Sequence, residues 1–384
     1  MTDIYQQRLT ELQERMAEAG LDLFVFNDAD SIYYLAGFWS YLGMEFDRAT
    51  LVVVPRSGDP VLVTPAMEAD MARAMTWITD IREWIDGIDG EWMRHLSDLV
   101  AGRSGATIGV ETYKTHPRVM TALREAAPDA ELVDATPILG AMRMVKSADE
   151  IAIMRQAGQV AVAMVEGGRD AIAEGVPEYE IALAVIATGT RKAAEFLDGP
   201  GEHELISPTI YNLQIMQSGH HTCLVHRRST VRRLVKGDPV YFCFCGIANF
   251  KQFKLGFDRE FFLGSVSDEH ARIYEVTVAA QQAALAMIRP GAVAEDVHQA
   301  ADEVYRSNGF GAGYRTGRGV GYSFLEDPQL KAGDTTVLQP GMTIAVDGGI
   351  TVPGSFGARI GDSIVVTDDG FEYLTDYPRG VFVV

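Results

Sequence analysis

Cysteine is scarce in this chain of 384 residues: only Cys223, Cys243 and Cys245 occur. Three thiols, two of them nearly adjacent, cannot form the even, widely spaced framework of a disulfide-stabilised secreted domain, so a reducing compartment is expected. Positive charge is short as well. Lysine and arginine number 33 against 53 aspartates and glutamates, a net charge of −20. That balance repels nucleic acid and anionic membrane surfaces and removes both from the expected partners. No uninterrupted apolar stretch of about 18 residues exists, so no membrane helix is expected. Met1–Gln7 lacks the basic segment and apolar run of an export signal, and a cytoplasmic protein is predicted. What is present gives no support to disorder: 47% of residues are apolar and 22% charged, ordinary values for a globular chain.

The length exceeds the roughly 250–300 residues at which a single core stops growing, so two domains are expected. Leu9, Leu12, Met16 and Ala19 recur at helical spacing before Gly20, which predicts a helix over about residues 4–19. Strands follow at Leu21–Asn27, Ala49–Val54, Pro60–Thr64 and Thr107–Glu111, with helices near Ala66–Met75, Glu91–Ala101 and Arg118–Ala126 between them. This is an α/β pattern. Ser147 with Glu150 three residues on forms a capping box for a helix running to about Glu174, and the division is placed there: 1–146 and 147–384. The second part reads as two helix-plus-sheet halves, with further helices near Glu178–Glu195, Glu269–Met287 and Ala294–Asn308.

Four segments of the second part carry a recurring punctuation. Val240–Gly264 holds Phe242-Cys243-Phe244-Cys245-Gly246 and Leu255-Gly256-Phe257-Asp258-Arg259-Glu260. Gly317–Pro328 holds Gly317-Arg318-Gly319-Val320-Gly321 and Leu325-Glu326-Asp327-Pro328. Leu338–Ile350 holds Gln339-Pro340-Gly341-Met342 and Asp347-Gly348-Gly349, and Gly357–Gly370 holds Arg359-Ile360-Gly361-Asp362. In these motifs the chain resembles the creatinase, prolidase and methionine aminopeptidase superfamily. The resemblance implies an α+β fold, with a pita-bread C-terminal domain behind a smaller N-terminal α/β domain.

Where most of that superfamily places metal ligands, this chain does not. Anchored on Gly246, the first aspartate position falls on Phe244; anchored on Arg259, the two aspartate positions fall on Cys245 and Gly256. The histidine position holds Arg318, whose fixed positive charge excludes it as a ligand of a divalent ion. Asp347 is the surviving carboxylate, and Gly361 stands in the last ligand position. A lone carboxylate beside an arginine does not make a metal site, so neither metal nor other cofactor is expected. Cys243 and Cys245 alternate onto one strand face with no evident histidine partner for a soft metal.

The resemblance is to the metal-less, creatinase-like branch, and the chemistry passes to other residues. Met216-Gln217-Ser218-Gly219 followed by His226 matches the stretch that carries a proton-shuttling histidine in that branch, and Asp258 and Asp347 fall where it has two acidic residues. An imidazole near neutrality can take a proton from water and return it to a leaving nitrogen. Two carboxylates can bind a cationic amidine or guanidine by charge-assisted hydrogen bonds. Each assignment has a plainer alternative. His226 sits among Arg227, Arg228, Arg232 and Arg233 as a surface histidine would, and Asp258 could pair with Arg259. Arg318 could hold a substrate carboxylate or phosphate, or only neutralise Asp347. In creatinase-like dimers a loop at the position of Gly37–Arg48 reaches the partner's pocket, so Trp39, Tyr41, Phe46 and Arg48 are expected to bind substrate there, unless they pack the core.

The expected activity is metal-independent hydrolysis of a C–N bond in a small zwitterionic compound by a homodimer. Ectoine, a cyclic amidine bearing a carboxylate, is the first candidate substrate. A metallopeptidase acting on Xaa-Pro bonds and a non-catalytic peptide- or protein-binding module are the competing expectations. Elimination from a β-substituted acid would suit the same base and arginine.

Overall fold

The computed structural model describes residues 2–40, 42, 48–199, 204–210, 215–244, 250–311 and 315–384. The chain divides into two compact units, Met1–Arg143 and Met144–Val384. The division precedes the expected residue 146 for a local reason. Val145 bridges Met342 and the Lys146 N–H donates to the Gly341 carbonyl at 2.9 Å, so both residues are already bound into the second unit.

In the first unit a six-stranded mixed sheet runs in the order Asp80–Trp84, Val61–Pro65, Leu51–Pro55, Leu23–Phe26, Thr107–Val110, Glu131–Asp134. The central strands read as continuous apolar runs, Leu-Phe-Val-Phe and Leu-Val-Val-Val, because both faces are covered. The two strands not anticipated from the sequence, Asp80–Trp84 and Glu131–Asp134, are the edges of this sheet. Edge strands tolerate charge on both faces, which erases the alternation that would have revealed them. The helix Ala29–Ala36 was also hidden; Asp28 caps it by accepting from the Ser31 N–H, and Gly37 ends it at φ 73°.

Among its described residues the second unit is an eight-stranded sheet, antiparallel at every pairing, with two helix pairs, Ala148–Asp170 with Glu178–Leu197 and Asp268–Met287 with Ala294–Ser307. This is the expected pita-bread arrangement. The capping box at Ser147 and Glu150 is formed in both directions. The first helix stops at Asp170 rather than near Glu174, where the chain turns so that Gly175 donates to Leu234. Along the sheet the strands run Ile215–Ser218, Pro239–Cys243, Asp258–Phe262, Phe356–Val366, Thr343–Val352, Gly317–Gly319, Glu326–Leu330, with Phe371–Tyr373 also on Phe356–Val366. The first three belong to the first half and the rest to the second. The halves meet where Asp258 pairs with Gly361. A core of Ile273, Tyr274, Val297, Tyr305, Ile344 and Ile364 fills the second half beneath its helices. The motif loop before Glu326–Leu330 is fixed by a buried ion pair, Lys146 Nζ to Glu326 Oε2 at 2.6 Å.

Candidate active site

Strand register alone assembles the site. Ile215 lies opposite Cys243, Cys243 opposite Asp258, Asp258 opposite Gly361, and Gly361 opposite Asp347. Residues directly opposite each other in antiparallel strands project to the same face, so the row crosses the seam between the halves on one side of the sheet. That side lines a cavity of about 540 Å³ which also takes in His226, Tyr241, Arg318, His298 and Asp302. Four expected residues, His226, Asp258, Asp347 and Arg318, therefore share one cavity.

Gly361 makes the row possible. A Cβ on it would lie 2.9 Å from Asp347 Oδ1 and 3.0 Å from Asp258 Oδ2, closer than a side chain tolerates. The two carboxylates face each other across a gap that only glycine leaves open. Gly256 does the same for the arginine: its Cβ would meet Arg318 Nη2 at 3.1 Å and Ala345 Cβ at 2.7 Å. The guanidinium thus occupies the space that a side chain on Gly256 would take. Arg318 is 2% exposed, its Nη1 donates to Asp347 Oδ2, and its charge sits 4.0 Å from the centre of the Phe324 ring. The neutralising contact between Arg318 and Asp347 is present.

Asp258 does not pair with Arg259. Neighbours on a strand point to opposite faces, and Arg259 turns away to hold Asp362 at 2.7 Å and the carbonyls of Gly361, Tyr377 and Pro378. Asp258 is 5% exposed. Burial pushes its pKa up, and the charge of Asp347 pushes further; hydrogen bonds from Cys243 and Tyr241 and the charge of Arg318 offset part of this, leaving it at about 7. Asp258 Oδ1 and Asp347 Oδ1 are both buried without a hydrogen-bond partner among the described residues. Two acceptor oxygens in that state call for N–H donors from a ligand.

The site does not fit a divalent metal. At the ligand positions named above, Phe244, Gly256 and Gly361 bring no donor, Arg318 brings a cation, and Asp347 is already ion-paired to it. Among the described residues no cluster of three or more histidine, cysteine or acidic side chains could hold a metal ion. Cys245 lies outside the described residues.

His226 is exposed at the cavity wall, in a loop clamped from two sides. Gln217 Nε2 donates to the carbonyls of Leu224 and Arg227, the latter at 3.1 Å. Glu178, fully buried, accepts from Arg227 Nη1 at 3.0 Å, Ser218 Oγ at 2.6 Å, and the N–H and hydroxyl of Thr230 at 2.8 Å each. Burial alone would raise the Glu178 pKa; the bonds from Arg227, Ser218 and Thr230 hold it below the usual range. The arginines beside His226 are thus partly structural: Arg232 grips Asp238 at 2.7 and 2.9 Å. His220 and His221 pack ring on ring 4.0 Å apart and do not line the cavity. Arg359 does line it, while bound to the carbonyls of Ile350 and Ala358.

Other lining groups escaped the sequence reading. His298 and Asp302, one turn apart on the helix Ala294–Ser307, line the cavity together with Tyr305, and His298 Nδ1 shares a 2.8 Å hydrogen bond with Thr316 Oγ1. Burial lowers the His298 pKa. Polar residues at i and i+4 on a helix otherwise look like a solvated face, so only their burial distinguishes them. Trp39 and Arg48 belong to the first unit; Trp39 is half-buried and Arg48 donates to Asp86 at 2.7 Å. Tyr41 and Phe46 lie outside the described residues.

With fold and site in hand, the class is defined: the chain belongs to the creatinase/prolidase superfamily. Residues 152–368 match the metallopeptidase family M24 and residues 8–145 the creatinase/prolidase N-terminal domain. Among known relatives, an agropine synthesis cyclase of Rhizobium rhizogenes is 31% identical, over 98% of this chain and 97% of its own. A creatinase of Bacillus sp. (strain B-0618) is 29% identical over 97% and 91%. The crystal structure of dipeptidase PepE from Mycobacterium ulcerans superposes with a TM-score of 0.85 at 27% identity, covering 100% of this chain and 98% of that one.

Proposed function

We propose that this enzyme hydrolyses a C–N bond in a small zwitterionic amidine or guanidine without a metal ion. One observation carries the reading: the buried carboxylates of Asp258 and Asp347 face each other across Gly361, and each keeps one oxygen, Oδ1, without a hydrogen-bond partner among the described residues. An amidinium presents N–H groups in the plane of its carbon and can satisfy both, which spreads positive charge onto that carbon and opens it to attack. His226 at the wall activates the attacking group and protonates the leaving nitrogen. Arg318 and Arg315 offer positive ends for the substrate's own carboxylate. Trp39, Tyr41, Phe46 and Arg48 complete the site from the partner in a dimer. Ectoine combines a cyclic amidine with a carboxylate and is the first compound to test, although an ectoine hydrolase of Halomonas elongata, at 25% identity, is no nearer than the dipeptidases.

A peptidase mechanism of the family's metal-dependent kind lacks its donors among the described residues. A second reading has a specific support: the relative of Rhizobium rhizogenes is described as a cyclase, and an internal group of the substrate could take the place of water at the same carbon. Turnover of ectoine, creatine and Gly-Pro in water enriched in oxygen-18, followed by mass spectrometry, separates these readings. Solvent oxygen in the product of an amidine or guanidine supports hydrolysis. A ring-closed product without solvent oxygen supports cyclisation, and turnover of Gly-Pro alone removes the amidine reading.

A further inference from the structure

The cavity runs on past the carboxylate pair. Gly361 lies opposite Asp347, and the Asp347 N–H donates to the Thr316 carbonyl at 2.7 Å, so Thr316 stands one strand beyond Asp347 and two beyond the gap at Gly361. At the usual spacing of paired strands that is about 10 Å. Thr316 Oγ1 shares its hydrogen bond with His298 Nδ1, and His298, 8% exposed, lines this end of the cavity with Asp302 one turn on along the helix. Two atoms here are left for a ligand. The second ring nitrogen of His298, Nε2, has no partner among the described residues. Asp302 gives Oδ2 to Arg306 Nη2 at 2.6 Å, while its Oδ1 is buried and without a partner among the described residues, the same condition as Oδ1 of Asp258 and of Asp347. Because Arg306 already balances the Asp302 charge and Arg315 also lines the cavity, this end needs a hydrogen-bond donor rather than a second cation. A hydroxyl meets both atoms: it donates to the carboxylate oxygen and serves Nε2 in either tautomer of the ring, since it both gives and accepts.

Resting on the amidine reading above, we propose that His298 and Asp302 bind a hydroxyl at the end of an arm on the substrate, so that the preferred substrate is a hydroxyl-bearing amidine or guanidine longer than ectoine or creatine. The cation lies between Asp258 and Asp347, and the arm passes Thr316 to reach the helix. Tyr305 and Phe310 line the same stretch and give the carbons of the arm an apolar wall. Neither His298 nor Asp302 takes part in the bond change. They set specificity by measuring the distance from cation to hydroxyl, and a compound too short to span it occupies one end of the cavity only.

The test measures the binding of four guanidines to the full-length protein by isothermal titration calorimetry: hexylguanidine, 6-hydroxyhexylguanidine, 6-aminohexylguanidine and, as a short control, 2-hydroxyethylguanidine. The proposal expects the hydroxyhexyl compound to bind at least about fivefold tighter than its methyl-ended twin, the factor that one or two net hydrogen bonds supply. In His298→Ala the ratio of those two affinities should fall to about one, and in Asp302→Ala it should fall in the same direction, while Asp302→Asn, which keeps an acceptor oxygen, retains part of it. A merely structural role would weaken both six-carbon probes alike and leave their ratio unchanged. Equal binding of the two by the parent, a ratio that survives in both alanine variants, or a preference for 6-aminohexylguanidine that His298→Ala removes would overturn the proposal. If 2-hydroxyethylguanidine binds and Asp347→Asn abolishes that binding while the six-carbon probes show no preference, the amidine reading stands and only the subsite fails. If no guanidine of either length binds, both fail together.

Discussion

Asp258 holds a proton near neutrality because it is buried opposite a second carboxylate, and that has a measurable sign. Its folded-state pKa of about 7 stands above the ordinary 3.8, so the stability tied to its neutral form is complete below the lower value and is lost as pH rises through the upper one. The melting temperature of the parent should therefore decline between pH 4 and pH 8 by a component that Asp258→Asn lacks; parallel slopes in a scanning-fluorimetry pH series would refute the assignment. Gly361 is equally exposed to test. Gly361→Ala drives a methyl between the carboxylates, and over-packing of this kind destabilises by about 1–3 kcal/mol; chemical denaturation should show that loss together with loss of turnover. At this scale the sequence was informative where a motif flanked the residue, as for Arg318, Asp347 and Gly361. It was silent for His298 and Asp302, whose helical spacing is that of a surface, and it offered Cys243 only as half of a metal pair. What it could not contain was the register that puts Cys243 opposite Asp258.

Among the elements, the loop carrying His226 depends on groups remote from the cavity. Glu178, at the start of its helix, and Gln217, on the strand before the loop, hold the backbone on either side of the histidine. Removing one partner of a buried ion pair typically costs about 3–5 kcal/mol because the other charge is left uncompensated. Glu178→Ala should accordingly destabilise the unit by an amount of that order, and Glu178→Gln, which keeps the shape, by less. Hydrogen exchange should show the amides around 224–232 opening faster in Glu178→Gln while the strand Phe356–Val366 remains protected; a uniform change across the unit would mean that Glu178 supports the fold generally rather than this loop. Most helices, and the central strands of the first unit, were legible from periodicity and caps, most clearly at Ser147 and Glu150; the short helix Ala29–Ala36 was not. The edge strands Asp80–Trp84 and Glu131–Asp134 were not, since an edge needs no apolar alternation.

For the whole molecule, the two-unit plan and the pita-bread architecture were readable from motif order, because the spacing of the glycine-rich segments reflects strands that must pair across a seam. The proposed completion of the site by a partner's loop carries its own expectation. Light scattering should give a dimer, and Trp39→Ala should raise KM with little effect on melting temperature; a fully active monomer would contradict the shared site. The central claim is that carboxylates, an arginine and a histidine do the chemistry of this cavity without a metal ion, and one assay addresses it most directly. Purified protein with its metal content quantified would be dialysed against a chelator and assayed on ectoine, creatine and Gly-Pro, with and without added zinc, manganese or cobalt. Turnover of an amidine or guanidine that is unchanged by chelation and by metal addition is the predicted result. Activity that disappears on chelation and returns only with a divalent ion would contradict it.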